Sequence, residues 1–66
     1  MKSELDQLVE VLRAAGEPSR LRILGLLRHG DLAVGELVDI LCQSQPGISQ
    51  HLKTLSAAGL VERLPE

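Results

Sequence analysis

The stretch that most constrains the fold lies at residues 44–58, with the sequence SQPGISQHLKTLSAA. Ile48, Leu52 and Leu55 follow one another at i, i+4 and i+7, which is the spacing of one buried stripe on an α-helix. Ser44 suits the N-cap of such a helix, and Gly59 with the Leu-Val after it closes the C-terminus. The stretch therefore predicts an amphipathic helix that packs on a core through one narrow face.

The positions between these apolar residues are polar and lack acids. A solvated helix face usually carries Glu and Lys, whereas this one carries mostly small and amide side chains: Gln45, Gly47, Ser49, Gln50, Lys53, Thr54 and Ser56. No Asp or Glu occurs between Asp39 and Glu62, although the whole chain has a net charge of −2. Gln and Ser both donate and accept hydrogen bonds, as the base edges of a DNA major groove do. Because carboxylates would repel phosphates, this face favours contact with DNA.

Length and composition indicate one small domain over residues 1–66. A domain of this size buries only about 60% of the surface of its unfolded chain. Its core must come from Leu, Ile, Val and Ala, because the chain has no aromatic residue. The acidic balance argues against a generally basic nucleic-acid binder, but it is compatible with a local uncharged reading face.

Cysteine usage and apolar runs indicate the compartment. The single cysteine, Cys42, excludes an internal disulfide and fits a reducing cytosol. No apolar run approaches the roughly 18 residues of a membrane span, and acids interrupt the apolar pattern near the N-terminus, unlike a signal peptide. We therefore expect a cytoplasmic protein without membrane contact. We also expect no enzyme and no cofactor, because no catalytic constellation or Gly-rich phosphate loop is visible.

The first predicted helix begins after Ser3, which with Asp6 forms a capping-box pattern, and ends at Gly16. Its apolar residues exceed what a small core can cover, which predicts a dimer interface. These residues are Leu5, Leu8, Val9, Val11 and Leu12. The alternative, that they pack on the domain's own core, stays open at this point.

A second helix is predicted from Pro18 to about His29 and a third from Val34 to Leu41. The second is apolar on nearly all sides and is expected to be the most buried. Three arginines interrupt it, and they suit structural ion pairs or a solvated edge better than phosphate contacts: Arg20, Arg22 and Arg28. The lone His29 has no second ligand at helical spacing, so no metal role is expected for it.

The third and fourth helices, joined by a short link, form the pattern of a helix-turn-helix, whose second helix enters the major groove. After Gly59, the segment Leu60–Leu64 alternates weakly and then meets a proline, which predicts one short strand. A single strand needs a partner. We therefore expect the chain to be the N-terminal piece of a longer domain.

Four segments carry a family resemblance: GEPSRLRIL at 16–24, VGEL at 34–37, SQPGISQHLK at 44–53 and AGLV at 58–61. Together and in this order, they resemble the winged helix-turn-helix repressors of the ArsR/SmtB family. The wording is most similar to members in which this module precedes a methyltransferase-like domain. The resemblance implies a mainly α fold of about four helices and one wing strand. The rest of the wing and the family's C-terminal helix are mostly absent from these residues.

The resemblance also implies a function and its residues. It implies a transcriptional repressor, with no inducer indicated, that reads an inverted repeat in double-stranded DNA as a homodimer, the first helix contributing to the dimer interface. The expected base contacts are Gln45, Ser49 and Gln50. The expected phosphate contacts are Ser44, His51 and Lys53. The alternative is a winged-helix interaction module that dimerises or regulates a fused or partner enzyme without binding DNA.

Three departures from the family pattern matter. Soft-metal sensors of the family carry two cysteines where this chain has Ala33 and Gly35, so no metal site is expected there. Pro46 replaces a common Ser on the recognition helix, which is harmless in a first turn but removes a hydroxyl. Cys42 stands where relatives often have Gly or Asn, so it is strained if that position needs a positive φ. We expect its thiol to be a small buried hydrophobe rather than a redox switch.

Overall fold

A computed structural model describes residues 2–62 of the chain. These residues contain four helices. They are α1 (Glu4–Ala15), α2 (Pro18–Leu27), α3 (Val34–Leu41) and α4 (Gln45–Ala57). The sequence predicts the first, third and fourth helices at these positions. It predicts α2 about two residues too long, because the backbone after Leu27 turns toward Gly30, which has a φ of +146°.

Side-chain caps fix where α1 and α4 begin. The Ser3 hydroxyl accepts the Asp6 backbone N–H at 3.1 Å, and the Asp6 carboxylate accepts the Ser3 N–H at 3.3 Å, which confirms the capping box. The Ser44 hydroxyl accepts the Gly47 N–H at 3.2 Å. Each bond satisfies a backbone donor that has no partner within its helix, so these residues set the helix starts.

The end of α4 is a Schellman motif around Gly59, which has a φ of +78°. The Leu60 N–H donates to the Leu55 carbonyl, and the Gly59 N–H donates to the Ser56 carbonyl, both at 3.0 Å. Glycine adopts this left-handed conformation without a steric penalty. The predicted stop at Gly59 is therefore confirmed, and it turns the following residues back toward the core.

The end of α3 uses Cys42 in the same way. Cys42 has φ 55° and ψ 42°, in the left-handed region, so the strain anticipated for this position is confirmed. The expectation of a buried thiol is wrong, because Cys42 is exposed and its Sγ lies 3.7 Å from the Asp39 carbonyl oxygen. A left-handed residue in a short surface turn places its side chain outside the core.

The core is built of aliphatic side chains from all four helices, and α4 contributes half of them. The buried members are Ala14, Ile23, Leu37, Ile48, Leu52 and Leu55. The predicted stripe on α4 is thus confirmed. The expectation that α2 is the most buried helix is wrong, because only Ser19 and Ile23 are buried there and Leu21 is 59% exposed. Helices α1 and α4 pack on one side of α2, and the side that bears Leu21 stays in solvent.

Leu60 and Val61 pack against this core after α4. Within residues 2–62 no segment is a β-strand, so Leu60–Glu62 do not show the predicted wing strand. The remainder of the predicted strand Leu60–Leu64 lies outside the described residues. Across from Val61 and Glu62, Asp31 and Leu32 line the same cavity of about 480 Å³.

Candidate nucleic-acid interface

Helices α3 and α4 form a compact pair joined by residues 42–44. Leu37 of α3 belongs to the same buried cluster as the α4 stripe, so the core holds the two helices together. The inner face of α4 is fully occupied by this packing. Its opposite face is therefore the part of α4 that can meet another surface.

The expected base-contact residues of α4 do not share one face of the helix. Gln45 and Gln50 are exposed, and Ser49 is half-buried between the outer face and the core stripe. At about 100° per residue, Gln50 points nearly opposite the stripe of Ile48 and Leu52. Gln45, in the first turn, also borders the cavity of about 480 Å³ that reaches Val61. Gln50 is thus the most outward of the three.

The expected phosphate-contact residues divide into two groups. Ser44 and Lys53 are exposed, and Lys53 lies one turn after Ser49. No acidic side chain occupies the first turn of α4, so the positive end of its dipole is not neutralised there. His51 differs, because its side chain is only 21% exposed and lies on the flank of α4 that packs toward α2.

His51 lies beside two charged groups of α2. Its Nδ1 is 3.4 Å from Nη1 of Arg20 and 3.8 Å from Oε2 of Glu17. Arg20 also donates from Nε to the Ala14 carbonyl at 2.6 Å. The sequence pattern groups Arg20 with Arg22 and Arg28 as edge cations. The structure separates them, since Arg20 is half-buried while the other two are exposed.

Glu17 is the N-cap of α2, a role that the sequence reasoning missed. Its carboxylate accepts the Arg20 backbone N–H at 2.9 Å. This bond is the main cause that lowers the pKa of Glu17, and the Ser19 N–H and the charges of His51 and Arg20 lower it further against partial burial. Ser, Thr, Asp and Asn are the usual caps, but a Glu before Pro18 was a usable signal.

A partly buried side-chain bond between Gln43 and Ser19 has no signal in the sequence. Gln43 donates from Nε2 to the Ser19 hydroxyl at 2.6 Å, which joins the turn before α4 to the start of α2. Ser19 is the one buried polar residue among residues 2–62. The two residues are far apart in sequence, and no local pattern pairs them.

The first helix exposes the apolar surface proposed for a dimer interface. The exposed fractions are 68% for Leu5, 53% for Leu8, 37% for Val9 and 61% for Leu12. Val11 is half-buried, and Ala14 is the only buried residue of α1. Within residues 2–62, Leu5, Leu8, Val9 and Leu12 lie outside the buried core. Their contact with a second chain stays a prediction.

Residues 2–62 hold neither a metal-ligand cluster nor a helix suited to a membrane. No three side chains of His, Cys, Asp or Glu come together there as a metal site would require. Within the same residues no helix has both the length and the apolar character needed to cross a membrane.

A helix that is fixed by a cap and packed on a short preceding helix through an aliphatic core is the arrangement of a helix-turn-helix. Residues 17–63 match the sequence pattern of the bacterial regulatory proteins of the arsR family. The chain belongs to this family, as its resemblance implied. Members of the family are transcriptional regulators, a class that is generally not enzymatic.

Named relatives agree with this assignment. The chain is 51% identical over 57 residues to the HTH-type transcriptional repressor SmtB of Mycobacterium tuberculosis, covering 86% of this chain and 42% of that protein. It is 40% identical to the uncharacterised HTH-type transcriptional regulator MJ1325 of Methanocaldococcus jannaschii, covering 92% of this chain and 70% of that protein. It is 39% identical to the transcriptional activator HlyU of Vibrio cholerae, covering 100% of this chain and 61% of that protein.

The chain thus spans less than half of the SmtB repressor it matches. No solved structure matches it.

Proposed function

We propose that this chain is the DNA-reading part of a sequence-specific transcriptional regulator, in which α4 enters the major groove. The carrying observation is the outer face of α4, which is exposed, polar and free of carboxylates in an acidic chain. Gln45, Ser49 and Gln50 read base edges, and a glutamine bonds adenine bidentately with about 1–3 kcal/mol of discrimination. Ser44, Lys53 and His51 bind phosphates. Such a regulator works in the cytoplasm, where bacterial DNA lies.

A homodimer is the second part of the proposal. One module makes few phosphate contacts, so it binds DNA weakly by itself. The exposed leucines and valine of α1 supply an apolar surface on which a second copy fits. Two copies related by a two-fold axis present two α4 helices to two half-sites, so the proposed target is an inverted repeat.

Repression is the proposed outcome of binding. SmtB and the arsenical resistance operon repressor of Staphylococcus xylosus are named as repressors, whereas HlyU is named as an activator. The first two names favour repression for this chain. The positions that carry cysteines in soft-metal sensors hold Ala33 and Gly35. We therefore propose that no soft metal binds at this place as an inducer.

A second function is favoured by one observation, the exposed apolar face of α1 in a chain of net charge −2. The domain would then dimerise or regulate a fused or partner enzyme, such as the methyltransferase-like domain suggested by the sequence, without binding DNA. The salt dependence of binding separates the two functions, because contacts with DNA phosphates release counterions.

The test is selection of bound sequences from a random double-stranded DNA pool by the intact protein. Binding to the enriched sequence is then measured at two salt concentrations. We expect an inverted repeat that is bound more weakly at the higher concentration. If a folded dimer enriches no sequence, the second function, an interaction module that does not bind DNA, replaces the proposed DNA-binding function.

A further inference from the structure

Three elements meet at one charged cluster outside the reading face. Glu17 and Arg20 stand at the start of α2, His51 stands in α4, and α1 ends beside them. We propose that Arg20 and His51 are positioning residues, which fix the reading helix α4 relative to α1 through Nδ1 of His51. This inference rests on the DNA-binding function proposed above.

Arg20 closes the end of α1. Its Nε donates to the Ala14 carbonyl at 2.6 Å, and its Nη2 donates to the Arg13 carbonyl at 3.4 Å. Carbonyls in the last turn of a helix have no partner within the helix, and the negative end of the helix dipole favours a cation there. The guanidinium is therefore held against α1 by two bonds.

The same guanidinium reaches α4. Its Nη1 lies 3.4 Å from Nδ1 of His51. Because a guanidinium has no acceptor, Nδ1 accepts in this contact, which requires the neutral imidazole with its proton on Nε2. A rigid planar fork that bonds α1 and α4 at once constrains the angle between them, which a flexible ammonium cannot do.

Glu17 is the partner of His51 when the imidazole is protonated. Its Oε2 lies 3.8 Å from the same Nδ1, and it also holds the Arg20 backbone N–H. When the imidazole is protonated, Nδ1 becomes a donor that faces this carboxylate. Among the described residues, Glu17 and Arg20 are the charged groups that contact His51, and Arg13 of α1 meets it only through Arg20. In either state Nδ1 has a partner on α2.

The proposed phosphate contact of His51 would use the other ring nitrogen. No side-chain nitrogen or oxygen of the described residues is both fully buried and without a partner, and only Nδ1 of His51 shows a partner. Among the described residues, Nε2 makes no hydrogen bond that would compete with a phosphate. Because the two roles need different nitrogens, substitution can separate them.

Asparagine and glutamine provide the matched pair. The amide of Asn branches at the carbon that bears Nδ1 in histidine, whereas the amide of Gln lies farther out, near the place of Nε2. His51→Asn keeps an acceptor for Arg20, and His51→Gln keeps a donor for a phosphate. Asn is a poorer helix former than Gln. A loss of helix stability would therefore weaken the Asn variant more, which is the opposite of the result that we expect.

The experiment measures affinity of the intact protein for its selected DNA, with melting curves to confirm folding. We expect both variants to bind more weakly than the unsubstituted protein, and His51→Gln, which loses the acceptor for Arg20, to bind about tenfold more weakly than His51→Asn. Arg20→Lys should also weaken binding about tenfold. Its matched control is Arg22→Lys on the exposed side of the same helix, which should bind normally.

Three results would overturn the inference. Normal binding by His51→Gln with weak binding and a shallower salt slope for His51→Asn would make His51 a phosphate contact alone. Normal binding by Arg20→Lys would remove the link to α1. Failure of the unsubstituted protein to select any DNA would instead overturn the proposed function, and this inference with it.

Discussion

Helices α1 and α4 each expose one long face, and the two faces are opposite in chemistry. The exposed face of α1 is made of leucine and valine. The same helix also has the Ser3–Asp6 capping box and the Lys2–Glu10 ion pair. The face of α4 is made of amides and hydroxyls with one lysine. An apolar face gains free energy by leaving water, whereas an amide face gains only where specific donors and acceptors meet it. The difference favours α1 for the proposed association and α4 for the proposed recognition.

The largest expected effect comes from making the face of α1 polar. Leu5→Gln combined with Leu12→Gln should convert the dimer to a monomer and lower DNA affinity by about 100-fold or more, because a monomer engages only one half-site. Sedimentation and DNA titration measure the two effects.

The matched control is Leu21→Gln on α2, because Leu21 is 59% exposed and Leu12 is 61% exposed. We expect this control to dimerise and bind DNA normally. If it disrupts the dimer as strongly as the α1 substitutions do, the assignment of association to α1 is wrong.

The next effect concerns the reading face itself. Gln45→Ala and Gln50→Ala should each cost about 1–3 kcal/mol of specific binding while leaving binding to unrelated DNA nearly unchanged. The melting temperature should stay the same, because both side chains are exposed. Equal losses on specific and unrelated DNA would take the residue off the base-reading face.

A smaller effect is expected at Lys53. Lys53→Met should weaken binding to all sequences alike and reduce the slope of log K against log salt by about 0.9 for each phosphate that a Lys53 ammonium neutralises. The comparison variant is Lys2→Met, whose lysine pairs with Glu10 in α1. A salt slope that changes for Lys2 but not for Lys53 would contradict the phosphate role.

The smallest effect is on pH dependence of stability. The folded-state pKa of Glu17 is lowered, so its carboxylate stabilises the fold above the ordinary value of 4.5 and this contribution fades as the pH falls below it. Glu17→Gln should lower stability near neutral pH and flatten the acid limb, as urea melts from about pH 3 to 7 would show. An unchanged acid limb would contradict the cap.

The sequence could predict whatever depends on local pattern. The stripe of α4, the Ser3 and Ser44 caps and the stop at Gly59 follow from periodicity and cap chemistry within a few residues. The outer residues of α4 could be chosen because the buried stripe defines the opposite face. Periodicity could not decide the exposure of α1, since it indicates a face but not what covers that face.

What could not be predicted depends on contacts between distant residues. Arg20 meets His51 across 31 positions, and Gln43 meets Ser19 across 24. No local signal distinguishes Arg20 from Arg22, because both interrupt the same apolar helix. The burial of α2 was overestimated for a related reason: apolar residues on all sides indicate burial only where enough chain exists to cover them.

The most direct test of the central claim compares base preferences. Sequences are selected from a random DNA pool by the unsubstituted protein and by a Gln50→Ser variant, which shortens the most outward side chain of α4. We predict that both enrich an inverted repeat and that preference changes at the same one or two positions of each half-site. Identical preferences for the two proteins would contradict the claim that this face reads the bases.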